Sequence, residues 1–272
     1  MSKLTVGLVQ ASFTASPSEN SEKAYSVIKR NYREADIIVL PEYSMSNPFI
    51  LKEPARVYEI SEFLANSRYL AFFAKLADNL GTNIVVHLIE RTERPPLAKN
   101  TTVLVTGRGE VLPLYSKLHL VESANYREVD FFEPGKSISK IISLNNFEIG
   151  FAICHDLRFP ELFRVYANLG VKLVIVQAAW IKGPLKEEIL DKLASSRSHE
   201  NALYLIVANQ VGEMFTGRSG VFNPLGYREL DMGNGEKYSE HTLFLEEVER
   251  ARSTMPILRQ AFEKWEVKIK QA

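Results

Sequence analysis

Cys154, Glu42 and Lys117 together supply a nucleophile, a base and a fixed positive charge, and each stands just past an apolar run of the chain. Cys154 is the only cysteine among 272 residues. It lies where the run Phe147 to Ile153 breaks into the polar stretch Cys154-His155-Asp156-Leu157-Arg158-Phe159-Pro160-Glu161. A lone cysteine is ordinarily a small buried hydrophobe. Here, however, the chain leaves the core at the sulfur, and Phe159-Pro160-Glu161 opens a helical stretch with proline at an early position. A thiolate near a helix N-terminus is electrostatically favoured. Glu42 follows Ile37-Ile38-Val39-Leu40 through Pro41, and Lys117 follows the run from Val111 to Tyr115. Taken alone, the first reads as a cap or solvated carboxylate and the second as a surface amine. Taken with Cys154, they make three reactive groups past strand ends, where open α/β sheets place their ligand sites.

The three types make a complete acyl-transfer chemistry. A thiol needs a base, and a carboxylate in a dry pocket can serve. The tetrahedral intermediate carries negative charge on oxygen, which a nearby ammonium stabilises. A Cys-His dyad is the competing arrangement. His155 adjoins Cys154, but neighbouring residues at a strand end point apart; His119 is the better partner for such a dyad, and it also reads as a residue that packs against and orients Lys117. His87, His199 and His241 are scattered without metal-ligand spacing, so no zinc site and no cofactor is expected.

The elements that must position these groups alternate between strand and helix. Leu4–Gln10 and Ala35–Leu40 read as strands around a helix with Ala24, Val27, Ile28 and Tyr32 on one face. A helix is expected over about Ile60–Leu80, stopped by Gly81. Strands are expected at Ile84–Leu88, Thr101–Thr106, Val111–Tyr115, Ile138–Leu144 and Phe147–Ile153, the last two joined by the hairpin turn Asn145-Asn146. A helix at Glu161–Leu169, a strand at Leu173–Gln177, a helix at Leu185–Asn201 and a strand at Leu203–Asn209 follow, then short strands near Gly220 and Leu243. From about Arg252 the chain is charged and weakly periodic, and is expected to reach across a surface or a partner subunit.

No linker, charge block or internal repeat divides the sequence, so one domain over residues 1–272 is expected. Lys plus Arg and Asp plus Glu balance at 33 each, which leaves no electrostatic footprint for nucleic acid or an anionic membrane. The N-terminus runs directly into a strand, apolar runs fall short of a membrane span, and one cysteine permits no internal disulfide. The expected location is cytoplasmic.

These segments resemble the nitrilase, or carbon–nitrogen hydrolase, superfamily. Leu40-Pro41-Glu42, Tyr115-Ser116-Lys117-Leu118-His119-Leu120 and Cys154-His155-Asp156-Leu157-Arg158-Phe159-Pro160-Glu161 look like its three signature segments in order. Val6-Gly7-Leu8-Val9-Gln10, Phe132-Glu133-Pro134-Gly135 and Asn201-Ala202-Leu203-Tyr204 extend the likeness over nearly the whole chain. The resemblance implies an α/β fold, a four-layer α-β-β-α sandwich, with a catalytic Cys154 nucleophile, Glu42 general base and Lys117 oxyanion stabiliser. It also implies a second glutamate before the Phe-x-Pro-Gly segment, for which Glu128 stands in place, with Glu122 and Glu133 as rivals. Family members generally associate, which implies a homodimer or higher homo-oligomer.

The implied reaction is hydrolysis of the amide of a small carboxylic acid through a Cys thioester, since Cys-x-Asp-x-Arg-Phe-Pro-Glu-Leu looks most like the ω-amidase-like and deaminated-glutathione-amidase-like branch. The alternatives are an N-carbamoyl amide hydrolase, a nitrilase, or a scaffold protein with a vestigial site. Arg158 has two readings: a bidentate anchor for a substrate carboxylate, or a brace paired with Asp156 or Glu161. The sequence departs from the family pattern at His155 and over Ser196–Asn201, which bears on pocket shape.

Overall fold

The structure, a computed structural model, describes residues 2–123 and 126–268. Its strands are β1 (Lys3–Gln10), β2 (Ile37–Val39), β3 (Asn83–Glu90), β4 (Lys99–Val105), β5 (Val111–Ser116), β6 (Ile142–Leu144), β7 (Phe147–Ile153), β8 (Leu173–Ala178), β9 (Tyr204–Asn209), β10 (Gly220–Phe222), β11 (Arg228–Asp231) and β12 (Lys237–Phe244). The helices are α1 (Pro17–Asn31), α2 (Pro48–Leu51), α3 (Pro54–Ile60), α4 (Arg68–Leu80), α5 (Pro160–Asn168), α6 (Lys186–Asn201), α7 (Leu245–Thr254) and α8 (Ile257–Phe262).

Two six-stranded sheets form the centre, ordered β12-β1-β2-β3-β4-β5 and β11-β10-β9-β8-β7-β6. Strand side chains alternate between faces, and this alternation builds the layers. Leu4, Val6, Leu8, Ile37, Val39 and Val85 of the first sheet share one core with Phe151, Ile153, Ile175 and Val207 of the second. That core continues into Leu162, Phe163 and Tyr166 of α5 and Leu190 and Ala194 of α6. The alternate residues Val9, Ile38, Leu40, Ile84 and Val86 pack instead on Ala24, Val27 and Ile28 of α1 and Leu70, Phe73 and Ala77 of α4. The result is the four-layer α-β-β-α sandwich expected from the sequence.

Strand direction places the reactive residues on one rim. β1, β2 and β3 are parallel, β4 runs against them, and β5 returns to their direction. The carboxyl ends of β2 and β5 and the amino end of β4 therefore meet. In the second sheet β7, β8 and β9 are parallel. Buried side chains tie the sheets together there: Gln177 accepts from Thr102 Oγ1 at 2.8 Å and donates to the Leu40 carbonyl at 2.6 Å, and Gln210 donates to the Glu42 carbonyl at 2.8 Å. Bonds of this kind contribute about 1 kcal/mol each and would cost more if left unmade.

The hairpin at Asn145-Asn146 is as read, with both residues at positive φ (48° and 66°), the backbone of a two-residue type I′ turn. Three boundaries differ. The helix expected from Ile60 begins only at Arg68, because Ser67 Oγ accepts the Leu70 N–H at 2.9 Å and caps it. Before it, Glu62 pairs with Glu90 as an isolated bridge. The strand expected over Ile138–Leu144 is paired only from Ile142, because Phe151 N–H turns to Ser139 Oγ at 3.0 Å. The segment after Arg252 is largely helical through Phe262 and lies against α5 and α6; residues 269–272 of the expected tail fall outside the described residues. Among the described residues no helix is long and apolar enough to cross a membrane.

Candidate active site

Lys117 is anchored by its own backbone before its side chain does anything. Its N–H bonds the Asn100 carbonyl at 2.9 Å, and its carbonyl accepts the Gly135 N–H at 2.8 Å. The Phe-Glu-Pro-Gly segment thus lies directly on the end of β5. Only glycine permits this approach, since a Cβ at Gly135 would stand 2.1 Å from the Ser116 carbonyl oxygen. The Lys117 side chain is fully buried, with Nζ 2.8 Å from Glu42 Oε1 and 2.8 Å from Glu128 Oε1. Burial works against its charge, but Glu128 and then Glu42 outweigh that, and the ammonium is held more firmly than in an ordinary lysine.

Glu42 and Glu128 are otherwise surrounded by neutral donors. Asn100 Nδ2 donates to Glu42 Oε1 at 2.9 Å and the Ala179 N–H to Oε2 at 3.0 Å. Tyr43 OH donates to Glu128 Oε1 at 2.5 Å and the Val121 N–H to Oε2 at 2.8 Å. Of the three glutamates weighed for this position, Glu128 is the one at Lys117. Glu133 lies 3.6 Å from Lys99, and Glu122 is an exposed partner of Arg127 at 3.8 Å.

Cys154 opens a 3₁₀ turn, Cys154–Arg158, with its backbone at φ 45°, a left-handed conformation unusual for a side-chain-bearing residue. Asp156 fixes this turn. Its Oδ2 accepts the Ile153 N–H (2.9 Å) and Tyr115 OH (2.8 Å), while Oδ1 accepts His119 N–H (3.0 Å) and lies 2.7 Å from His119 Nδ1. Pro160 then starts α5. Burial pushes the Cys154 thiol well above its usual range and Glu42 adds to this, while Lys117 and the Ala179 N–H pull the other way. The sulfur is thus a buried thiol at rest.

Two expectations are corrected here. His119 does not orient Lys117; it binds Asp156 and stacks on Phe159 at 3.7 Å, so it braces the cysteine turn. Arg158 does not pair with Asp156 or Glu161, because both Asp156 oxygens are already occupied. Its guanidinium lies over the Trp180 ring at 4.6 Å, and among the described residues it meets no carboxylate within 4 Å. Arg197 of α6 donates to the Leu157 carbonyl at 3.1 Å and so holds the turn from behind.

A cavity of about 420 Å³ is walled by Cys154, Glu42, Glu128, Tyr126, Arg158 and Trp180 among others, and Lys117 lies behind this wall, bonded to Glu42 and Glu128. Its lining combines the charged Glu42, Glu128 and Arg158 with the aromatic Tyr43, Phe49, Tyr126 and Trp180, the mixture of a small-molecule site. A larger recess of about 750 Å³ runs along β5 and the Phe-Glu-Pro-Gly segment, but Cys154, Glu42, Lys117 and Glu128 do not line it. Sequence reasoning missed Asn100, Tyr43, Ala179 and Trp180. The last two follow the end of β8 on the same rim, a signal available from the run Leu173 to Ala178.

The chain matches the carbon–nitrogen hydrolase family profile over residues 5–253. It is 31% identical over 214 residues to a nitrilase of Pyrococcus abyssi, covering 76% of each chain. It is 26% identical over 276 residues to an omega-amidase of Saccharomyces cerevisiae, covering 95% of this chain and 93% of that one. Its fold superimposes with a TM-score of 0.85 on a carbon–nitrogen hydrolase superfamily protein of Xanthomonas campestris, at 22% identity over 96% of this chain and 98% of the other. The profile match spans nearly the whole chain, and the protein belongs to the carbon–nitrogen hydrolase family.

Proposed function

We propose that this protein is an amidase that hydrolyses the amide of a small carboxylic acid through a thioester on Cys154. The observation that carries the reading is the donor count at Lys117. An ammonium has three N–H donors; two are spent on Glu42 and Glu128, and one is left for an oxyanion. Glu42 offers the matching vacancy. Its Oε1 already accepts Lys117 and Asn100, whereas Oε2 accepts only the Ala179 N–H and keeps a lone pair for a proton. Glu128 also accepts three donors, one of them on Oε2, but Glu42 acts more strongly on the Cys154 thiol, and in this reading Glu128 holds Lys117 rather than moving protons.

In this mechanism the Cys154 Sγ–H proton passes to Glu42 as sulfur bonds to the amide carbon, and the carbonyl electron pair moves onto oxygen beside Lys117. Collapse of the tetrahedral species breaks the C–N bond, and ammonia leaves with the proton from Glu42. Water then gives a proton to Glu42 and attacks the thioester; expulsion of sulfur, which takes the proton back, frees the acid. One carboxylate serves both halves.

Arg158 supports an acidic substrate, because its guanidinium lines the cavity and meets no carboxylate partner among the described residues. The omega-amidase name of one relative agrees with this choice; the nitrilase name of another makes nitriles the control. The test compares succinamate with butyramide, in which a methyl group replaces the carboxylate, and adds a ureido acid and a nitrile. Ammonia release from succinamate is expected to exceed that from butyramide by about tenfold or more in kcat/KM, the worth of a charge-assisted pair. Arg158→Lys should narrow the gap, since a point charge cannot reproduce the planar fork. An unchanged ratio excludes the anchor role; carbon dioxide from the ureido acid or turnover of the nitrile alone points to the alternative reactions, and no product from any of the four favours a scaffold.

We propose further that the chain works as a homodimer or larger homo-oligomer. Leu169 (50% exposed), Met255 (54%) and Trp265 (75%) leave apolar surface open on the side that carries α5 and α8.

A further inference from the structure

His87 takes no part in the steps above, yet it is fully buried inside β3, one side chain away from Glu42. Its Nε2 lies 2.6 Å from Asn100 Oδ1, and Asn100 Nδ2 lies 2.9 Å from Glu42 Oε1. The orientation of that amide decides what Glu42 meets. Turned over, Asn100 would set its carbonyl oxygen against a carboxylate oxygen, and its amino group would need His87 Nε2 as an acceptor. The tautomer of His87 and the orientation of Asn100 are therefore one choice made together.

We infer that His87 is a positioning residue for Glu42: as the neutral Nε2–H tautomer it holds the Asn100 carbonyl, so that an N–H and not an oxygen faces the Glu42 carboxylate. Several features of the site agree. Lys117 and Asn100 share Glu42 Oε1, so the amide helps to leave Oε2 as the oxygen that takes the thiol proton. The edge of one ring packs on the other between Tyr43 and His87, at 5.2 Å. Burial holds the imidazole neutral, pushing its pKa down to about 3; the Asn100 bond opposes this, Lys117 adds to it and Glu128 opposes it. Among the described residues His87 Nδ1 makes no side-chain hydrogen bond, so the bond at Nε2 is the one that couples the ring to Asn100.

The inference rests on the role of Glu42 in the proposed function, and its test has an arm that does not. In the full chain, ¹⁵N NMR of the His87 ring at pH 7 should show Nε2 protonated and Nδ1 bare; the opposite tautomer overturns the inference whatever the protein's activity. The kinetic arm uses the faster of succinamate and butyramide. His87→Leu should lower kcat about tenfold or more, the scale of one charge-assisted hydrogen bond, with KM changed by less than about twofold. His87→Gln, which keeps a donor near the same point, should restore kcat to within about threefold of wild type. Asn100→Leu should lose as much as His87→Leu, and the double variant no more than either, since residues acting through one contact are not additive. Wild-type kcat in His87→Leu, an equal loss in His87→Gln, or additive losses in the double variant would each overturn it. If the leucine variants do not fold, the glutamine variant and the NMR arm still decide; a wild type that turns over neither amide speaks against the proposed function instead.

Discussion

At the scale of single residues, the site is a buried ammonium between two carboxylates, and that arrangement changes what a substitution at Lys117 should do. From sequence alone, removing Lys117 would be expected to cost turnover and leave the fold intact. Among the described residues the lysine is the only cation paired with Glu42 and Glu128, so its loss strands two buried negative charges. Breaking a buried pair from one side costs about 3–5 kcal/mol. Lys117→Met is therefore expected to lose both turnover and stability, the latter read as a lowered urea midpoint at pH 7. A stability within about 1 kcal/mol of wild type would mean that the two carboxylates share a proton or take up water once the lysine is gone. That Cys154, Glu42 and Lys117 come together at one rim was legible in the sequence because each follows a short apolar run, a pattern that names a strand and its end together. His87 and Asn100 were not: His87 interrupts the apolar run from Ile84 to Ile89 and Asn100 stands in the polar start of β4, Lys99-Asn100-Thr101-Thr102, and neither shows a role until its partner across the sheet is known.

At the scale of elements, β5 and the Phe-Glu-Pro-Gly segment position Lys117 as one unit. The contact is backbone on backbone, at Gly135 N–H and the Lys117 carbonyl. Gly135→Ala places a Cβ 2.1 Å from the Ser116 oxygen, so either the loop or the strand end must move. The expected cost is about 1–3 kcal/mol, as for overpacking elsewhere, together with a fall in kcat of about tenfold or more as Lys117 shifts from the place beside the oxyanion that the proposed mechanism gives it. Unchanged kcat with unchanged stability would show that this contact does not set the lysine. The Asn145-Asn146 hairpin and the helices α1 and α5 could be read from local signals, because turn chemistry and apolar periodicity act within a few residues. The start of α4 could not: it depends on Ser67 outcompeting a continuous apolar pattern that begins at Ile60. The brace at Asp156 was also hidden, for it draws donors from Tyr115 and His119, some forty residues away along the chain.

At the scale of the whole molecule, two sheets bring their strand ends to one rim, so the first supplies Glu42 and Lys117 and the second Cys154. Association is the property of this scale that remains a proposal. Light scattering of the full chain should give at least twice the mass of one chain, and a chain ending at Met255, which keeps α7 but lacks α8 and Trp265, should be smaller; a monomeric full-length chain would refute it. The central claim is the covalent bond at Cys154, and it can be weighed directly because the chain has no other cysteine. The measurement is denaturing mass spectrometry of the Glu42→Gln variant quenched in acid after mixing with succinamate. Glu42 takes the thiol proton first and the water proton later, so the variant slows both halves; water, the poorer nucleophile, depends on the base more than the thiol does, and the account predicts that a species heavier by one succinyl group in place of one hydrogen builds up slowly, maps to Cys154, and is absent from Cys154→Ala. Ammonia release at the wild-type rate by Cys154→Ala, with no acylated species in any variant, would contradict it.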